Sequence, residues 1–423
     1  MGKSTETEKG KTTKIRCPIH GFIELDELET EIINHRIFQR LKRIKQLALT
    51  DMVYPSATHT RFEHSLGVMY MATEMLNSLA SDEQNLEKLG LTVDNVTRVR
   101  KIVRLAALLH DVGHPCFAHA GEKMMPFLPK NKKKQYKHET YSVKAIRVFF
   151  KSIIEGNAYG ITVDEVCYLI GEDIKPPKYL IALKGLISSQ MDADRADYLL
   201  RDSYHLGVRY GEYDKERFIR CITVGKTEGN SAILAIKESG LQMAEHMVMA
   251  RYSMFSSVYF HKVRRAYDCH AERALKDVLK ASGLKDGLFP PPSDDPIKLN
   301  EYFKFDDYSV ISAMAKGDGG VHGDIIIDRN HYKEKRPSPW KIRDEKNDRK
   351  KFDSDTRKLK KKHSDYFIDE GAVTDYYKSK DREKEIHILR GDGITVPLSE
   401  ISDMITKIGQ PKNNKVLCPL GRE

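Results

Sequence analysis

The stretch VRKIVRLAALLHDVGHPCFAH, residues 99–119, decides how the rest of the chain reads. Its first half repeats apolar residues at helical spacing, and LAALL (105–109) is buried in character, which puts this helix in the middle of a core. His110 and Asp111 then follow directly. An imidazole and a carboxylate at the end of such a segment are costly to bury unless something pairs with them, and a cation does so. Adjacent side chains on a helix diverge by about 100°, so one cation takes both only if other elements close around it. Alone, a His-Asp pair is more often a helix terminus with a polar cap.

Outward from this segment the pattern stays helical. HSLGVMYMATEMLNSLA (64–80) is a strong helix, and FQRLKRIKQL (38–47) places Phe38, Leu41, Ile44 and Leu47 three apart with Arg and Lys opposite, which predicts an amphipathic helix. Further helices are expected over 138–156, 163–171, 179–190, 193–203, 215–221 and 241–281. Strand-like pieces are few: IRCPIHGFIEL (15–25) around a turn, IRCITVG and SAILAIK within 219–237, and HILRGDGITVPL (387–398) as a hairpin. The expected fold is mainly α, an all-helical core with small β-hairpin elements and a C-terminal α+β appendage. Its divisions are a disordered tail (1–14), the core (15–290), a helical extension (291–315), a charged, partly flexible insertion (316–385) and a small α+β region (386–423).

The 423 residues carry a formal charge of +10. Residues 329–363 hold 15 Lys and Arg against 6 Asp and Glu, so the excess is concentrated there and the chain lacks a general nucleic-acid coat. The six cysteines are scattered without a C-x-x-C pair, and no apolar run approaches the ~20 residues of a membrane helix. With a polar N-terminus that lacks a signal peptide, this predicts a soluble, cytoplasmic protein.

Chemistry concentrates in RFEHSLG (61–67), LLHDVGHPCFAH (108–119), KHE (137–139) and MDADRADYLLRD (191–202). His64 and Asp194 are the candidates to complete a His-His-Asp-Asp set with His110 and Asp111. Mixed imidazole and carboxylate ligands suit Fe, Mn, Co, Ni or Zn better than Ca. His114, His119 and His138 lie nearby as phosphate donors and a proton source.

This order of motifs is similar to the HD superfamily of metal-dependent phosphohydrolases. With YPSATHTRFEHSLGV (54–68), DADRADYLLRDSYHLG (192–207) and MARYSMFSSVYFHK (249–262), it resembles the SAM-and-HD-domain type of dNTP triphosphohydrolase over about residues 15–285. No SAM domain is expected, since nothing of that size precedes Ile15. The resemblance implies His64, His110, Asp111 and Asp194 as metal ligands, His119 as the acid protonating the leaving 5′ oxygen, and Glu122 orienting it where the family usually has Asp. His114 and His138 would face the phosphates with Arg61, Arg251 and Lys262. Gln46, Tyr198 and Asp202 match positions that hold the 3′-hydroxyl, Tyr259 the ring that crowds the 2′ position, and Leu47 packs on the sugar or base. Taken singly, Tyr259 and Leu47 are ordinary core residues and the arginines ordinary surface charges; the shared framework promotes them.

The implied reaction is metal-hydroxide attack on the α-phosphorus, giving a deoxynucleoside and inorganic triphosphate, with Mg²⁺ on the triphosphate. Phe255 and Phe260 stand where the human-type enzyme carries His and Gln, which leaves the base preference open. Cys17, Asn34 and Lys42 differ in the segment matching its nucleotide-activator site, so activation by GTP does not carry over as such, and another dNTP activator or none stays open. A dimer or tetramer of the chain is expected. Two rivals stand beside this reading. One is an HD-type nuclease or phosphodiesterase acting on single-stranded nucleic acid or on cyclic or oligonucleotides, favoured modestly by the basic segment. The other is an idle nucleotide-sensing or nucleic-acid-binding module, against which the intact His119 and Glu122 argue.

Overall fold

Three helices make the frame: Arg61–Ala80, Val93–Leu109 and Ala193–Leu206, the first packed against both others. The computed structural model describes residues 12–227, 229–336, 350, 353–354, 356–358, 361, 365–372, 385–408 and 412–418. Residues 1–11 of the expected tail, and most of the basic 329–363 segment, lie outside the described residues.

Arg61–Ala80 starts at a capping box in which Thr60 and Glu63 satisfy each other's backbone N–H groups. Leu66, Val68, Met69, Met71, Ala72, Met75, Leu76 and Leu79 are all buried along it, as expected of a helix enclosed on several sides. Val93–Leu109 is buried continuously over its last turns, and His110 is its C-cap. The His-Asp pair therefore sits where the helix stops, and its two side chains need not diverge as they would inside a helix. Ala193–Leu206 is capped by Asp192, whose carboxylate accepts from Arg195 N at 2.8 Å and Ser189 N at 2.9 Å. That frees Asp194, in the first turn, for another task.

Small sheets surround this mainly α body. Thr13–Cys17 and Gly21–Leu25 form an antiparallel hairpin with Ile15 opposite Ile23. Ile222–Lys226 and Ala232–Lys237 pair antiparallel, and His387–Leu389 with Thr395–Pro397 extends them into four strands through a parallel pairing of Ile236 with Ile388. Lys333–Arg336 and Phe367–Ala372 flank Lys412–Cys418, both antiparallel. Helices Pro296–Phe303, Asp307–Ala315 and Gly320–Ile327 connect core and sheets.

Three elements differ from expectation. Residues 38–47 are not one amphipathic helix: Arg36–Gln39 tightens into a 3₁₀ turn over Arg40–Arg43, and the backbone is extended at Ile44. Apolar spacing of three fits a 3₁₀ period better than 3.6, and Phe38, Leu41, Ile44 and Leu47 are all buried. The segment then pairs with the entry to the Arg61 helix, Gln46 N donating to His59 O and Arg61 N to Ile44 O, each at 2.9 Å. The helix expected over 179–190 covers only Leu180–Leu186. The helical run 241–281 breaks: Leu241–Met254 widens into a π turn over Phe255–Tyr259, and His261 caps a new helix, Lys262–Ala281. The break turns Tyr259 inward, and such wide turns gather at functional sites.

Candidate metal centre and substrate cavity

His64, His110 and Asp194 converge on one point, and Asp111 stands beside it, in a neighbouring group with His114 and His138. His64 Nε2 lies 3.0 Å from Asp194 Oδ1 and 3.9 Å from Asp111 Oδ2, and His110 Nε2 lies 3.5 Å from Asp111 Oδ1 and 3.9 Å from Asp194 Oδ1. Ligands about 2.0–2.2 Å from a shared first-row ion stand roughly 3–3.5 Å apart; His64, His110 and Asp194 lie close to that spacing, and Asp111 joins them by turning one oxygen from Arg61 toward the group.

The tautomers agree with this. His64 Nδ1–H donates to Asp197 Oδ2 and His110 Nδ1–H to the Ala107 carbonyl, both at 2.8 Å. Each ring thereby turns an Nε2 lone pair toward the common point, and neither Nε2 makes a hydrogen bond of ordinary geometry. A hydrogen-bond acceptor for Nδ1–H is what fixes the orientation and tautomer of a metal-binding imidazole. Burial disfavours a charged His64, yet the Asp194 and Asp197 carboxylates outweigh it and lift its pKa to about 10, so without a cation Nε2 holds a proton that a bound ion would displace. Burial likewise opposes ionised Asp194, and His64 brings it down to about 2. The cluster draws in positive charge, and the residues fit a divalent cation.

A layer of histidines follows. Glu122 accepts from His119 Nδ1 at 3.0 Å and from His138 Nδ1 at 2.5 Å, so it holds two rings. Burial works against that carboxylate's charge, but the two imidazoles keep its pKa far below the usual range. For His138, burial is outweighed by Glu122, Glu139 and Asp111, and the pKa rises to about 9. The His114 ring lies 4.3 Å from that of His138, tilted by 30°; burial, then Arg61 and His138, push its pKa well below the usual imidazole value. Arg61 is ion-paired to Asp111.

The turn carrying His119 is strained, since Phe117 (φ 56°) and Ala118 (φ 50°) are both left-handed. Asp307 Oδ1 holds it by accepting from Phe117 N at 2.7 Å. Gly113, in the preceding turn, is in a place where a Cβ would collide with the backbone of His138 and Ser142.

These groups open on a cavity of about 820 Å³. Gln46, Leu47, Arg61, Asp111, His114, His119, Glu122, His138, Asp194, Tyr198, Asp202, Arg251 and Tyr259 line it. Lys262 does not: it is exposed at the start of its helix, because the break before it turns Tyr259 rather than Lys262 toward the cavity. At the far end the Tyr259 hydroxyl donates to Asp202 Oδ2 at 2.6 Å, and His59 Nε2 meets Asp202 Oδ1 at 2.8 Å.

Reading the sequence missed several of these. His59 stands two residues before Arg61, inside a motif already singled out. Arg195, beside Asp194, lines the cavity, as do Arg264 and Glu272. Asp197, three residues after Asp194 and so on the same helical face, carries the one readable signal. Gly67 lies against Asp197, and a Cβ there would collide with the Asp197 carboxylate and the Arg201 guanidinium. Gly67→Ala is therefore expected to lower stability by about 3–5 kcal/mol, the range for disrupting a buried charge pair, read as a fall in denaturation midpoint.

Residues 61–202 match the HD domain model, and residues 213–416 match that of the HD associated region. The chain is 38% identical over 270 residues to protein MJ1154 of Methanocaldococcus jannaschii, covering 64% of this chain and 51% of that one. It is 31% identical over 274 residues to the deoxynucleoside triphosphate triphosphohydrolase SAMHD1 of Danio rerio, covering 58% of this chain and 42% of that protein. The chain thus spans about half the length of the curated relatives it matches. A crystal structure of a hypothetical protein from Aquifex aeolicus superposes with a TM-score of 0.76 at 26% identity over 97% of both chains. The converging histidines and aspartates fall inside the first match and the following helices and sheets inside the second, and the chain belongs to the HD-domain family.

Proposed function

We propose that the protein hydrolyses deoxynucleoside triphosphates to a deoxynucleoside and inorganic triphosphate. The observation that carries this reading is one cavity lined at once by Asp111 and Asp194, beside His64 and His110, and by the closed Tyr259–Asp202 pair. In this reading those four residues hold a divalent Fe, Mn, Zn, Co or Ni ion, and Mg²⁺ accompanies the triphosphate. Held there, such an ion would supply water with its pKa lowered from about 15.7 towards 7 and Lewis acidity for a phosphoryl oxygen.

The chain's own groups do the rest. Arg61, Arg195 and Arg251 face the cavity as fixed positive charges for the phosphates. His138, held by Glu122, adds a donor beside them. His119 is open to the cavity, its Nδ1 tied to Glu122, so Nε2 is the atom that gives a proton to the departing 5′ oxygen. Tyr259, fixed on Asp202, fills the space a 2′-hydroxyl would need, while Gln46, Asp202 and Tyr198 offer partners for a 3′-hydroxyl. Homo-oligomeric assembly and a nucleotide activator belong to the same reading.

The test is to incubate the protein, loaded with Mn²⁺ or Fe²⁺ plus Mg²⁺, with each dNTP, with pairs of dNTPs and with single-stranded DNA, and to separate the products. Deoxynucleoside plus triphosphate is expected. Deoxynucleoside monophosphate plus pyrophosphate, or DNA fragments without dNTP turnover, would overturn the proposal. Tyr259→Leu should open the 2′ side, narrowing the dNTP over rNTP preference in kcat/KM by about 10–100-fold, the scale of a small steric discrimination.

A further inference from the structure

We infer that His20 is a positioning residue for the metal centre and that the N-terminal hairpin is one of its supports. The inference rests on His64 being a ligand, as proposed above.

Asp197 is the hub. Its carboxylate is fully enclosed and accepts from His64 Nδ1 at 2.8 Å, from Arg201 Nε and Nη2 at 2.8 Å each, and from His20 Nε2 at 2.6 Å. His20 and Asp197 are 177 residues apart in sequence, and both side chains are wholly buried. An ionised carboxylate only accepts, so His20 carries its proton on Nε2 and His64 on Nδ1.

The four bonds divide the work. Arg201 supplies the charge that keeps Asp197 ionised, and it is the strongest influence opposing the effect of burial on that carboxylate. Arg201 reaches both oxygens from one side along its own helix. His20 meets Oδ1 from the hairpin turn, leaving Oδ2 to His64. Its ring is stacked on Tyr70, 4.7 Å between centroids at 20°, and Tyr70 belongs to the same helix as His64. Gly67 of that helix leaves the notch the carboxylate occupies. Removing His20 frees Asp197 to turn about its last bond, and the His64 ring loses its fixed acceptor.

The test measures Mn²⁺ binding to the metal-stripped full chain by electron paramagnetic resonance, with metal-free melting points recorded alongside. His20→Leu should bind Mn²⁺ about 10–100-fold more weakly, the usual effect of losing such a partner. His20→Gln, whose amide reaches the Nε2 position, should stay within about threefold of wild type. If His20→Leu does not fold, His20→Asn, one methylene shorter, should be weaker than His20→Gln. Unchanged affinity in His20→Leu with a lowered metal-free melting point would assign His20 to anchoring alone and overturn the inference. Equal affinities for Gln and Asn would do the same. If wild type takes up no Mn²⁺, the metal reading itself is what fails.

Discussion

Changing His110 and Asp111 together to Ala should lower kcat/KM for dNTP hydrolysis by about 10⁴-fold and reduce bound Mn²⁺ to background. A catalytic cation contributes several kcal/mol of charge stabilisation, and each ~1.4 kcal/mol is a factor of ten. The geometry makes the double change decisive. His110 Nε2 and both Asp111 oxygens face the cluster, and Asp111 also holds Arg61 at the cavity wall. Full activity in this variant would end the proposed mechanism. Retained activity with lost metal would mean that another part of the chain supplies the nucleophile.

The second large effect belongs to His119. His119→Ala should reduce kcat by about 10²–10³-fold, within the span of general acid catalysis, while Mn²⁺ binding stays at wild type. A dNTP analogue with sulfur at the bridging 5′ position, whose leaving group needs no proton, should recover most of that loss. Equal damage on both substrates would assign His119 to binding instead. Glu122→Gln releases His138 as well as His119, so its defect should appear in KM as well as in kcat.

The sequence revealed the parts of the site whose partners lie close along the chain. His110 with Asp111, and His119 with Glu122, are local pairs, and the burial of LAALL is plain from composition. Asp194 was readable as a ligand only beside the others, because Asp192 two positions earlier is the helix cap. The His20–Asp197 contact and the His59–Asp202–Tyr259 chain have no local signature, since their members are brought together by packing. The break after Met254 was missed for another reason: apolar periodicity runs through Phe255–Tyr259 almost unchanged, and a wide turn shifts the register without altering residue type. Lys262 was misplaced by the same shift.

Asp307 has a consequence for how such a protein can be divided. One of its oxygens accepts from Phe117 N, and the other accepts from Lys45 N at 2.8 Å. The buried Arg40 guanidinium adds a second stitch, donating to His114 O and Phe305 O. The two banks of the cavity are thus moored to a helical pair that lies more than a hundred residues beyond the turn that carries His119. A fragment trimmed to residues 61–202 would keep every proposed cation ligand and lose the ties that set the width between the banks. The region after residue 213 is therefore part of the cavity's frame, and grafting or minimising the protein has to carry it along.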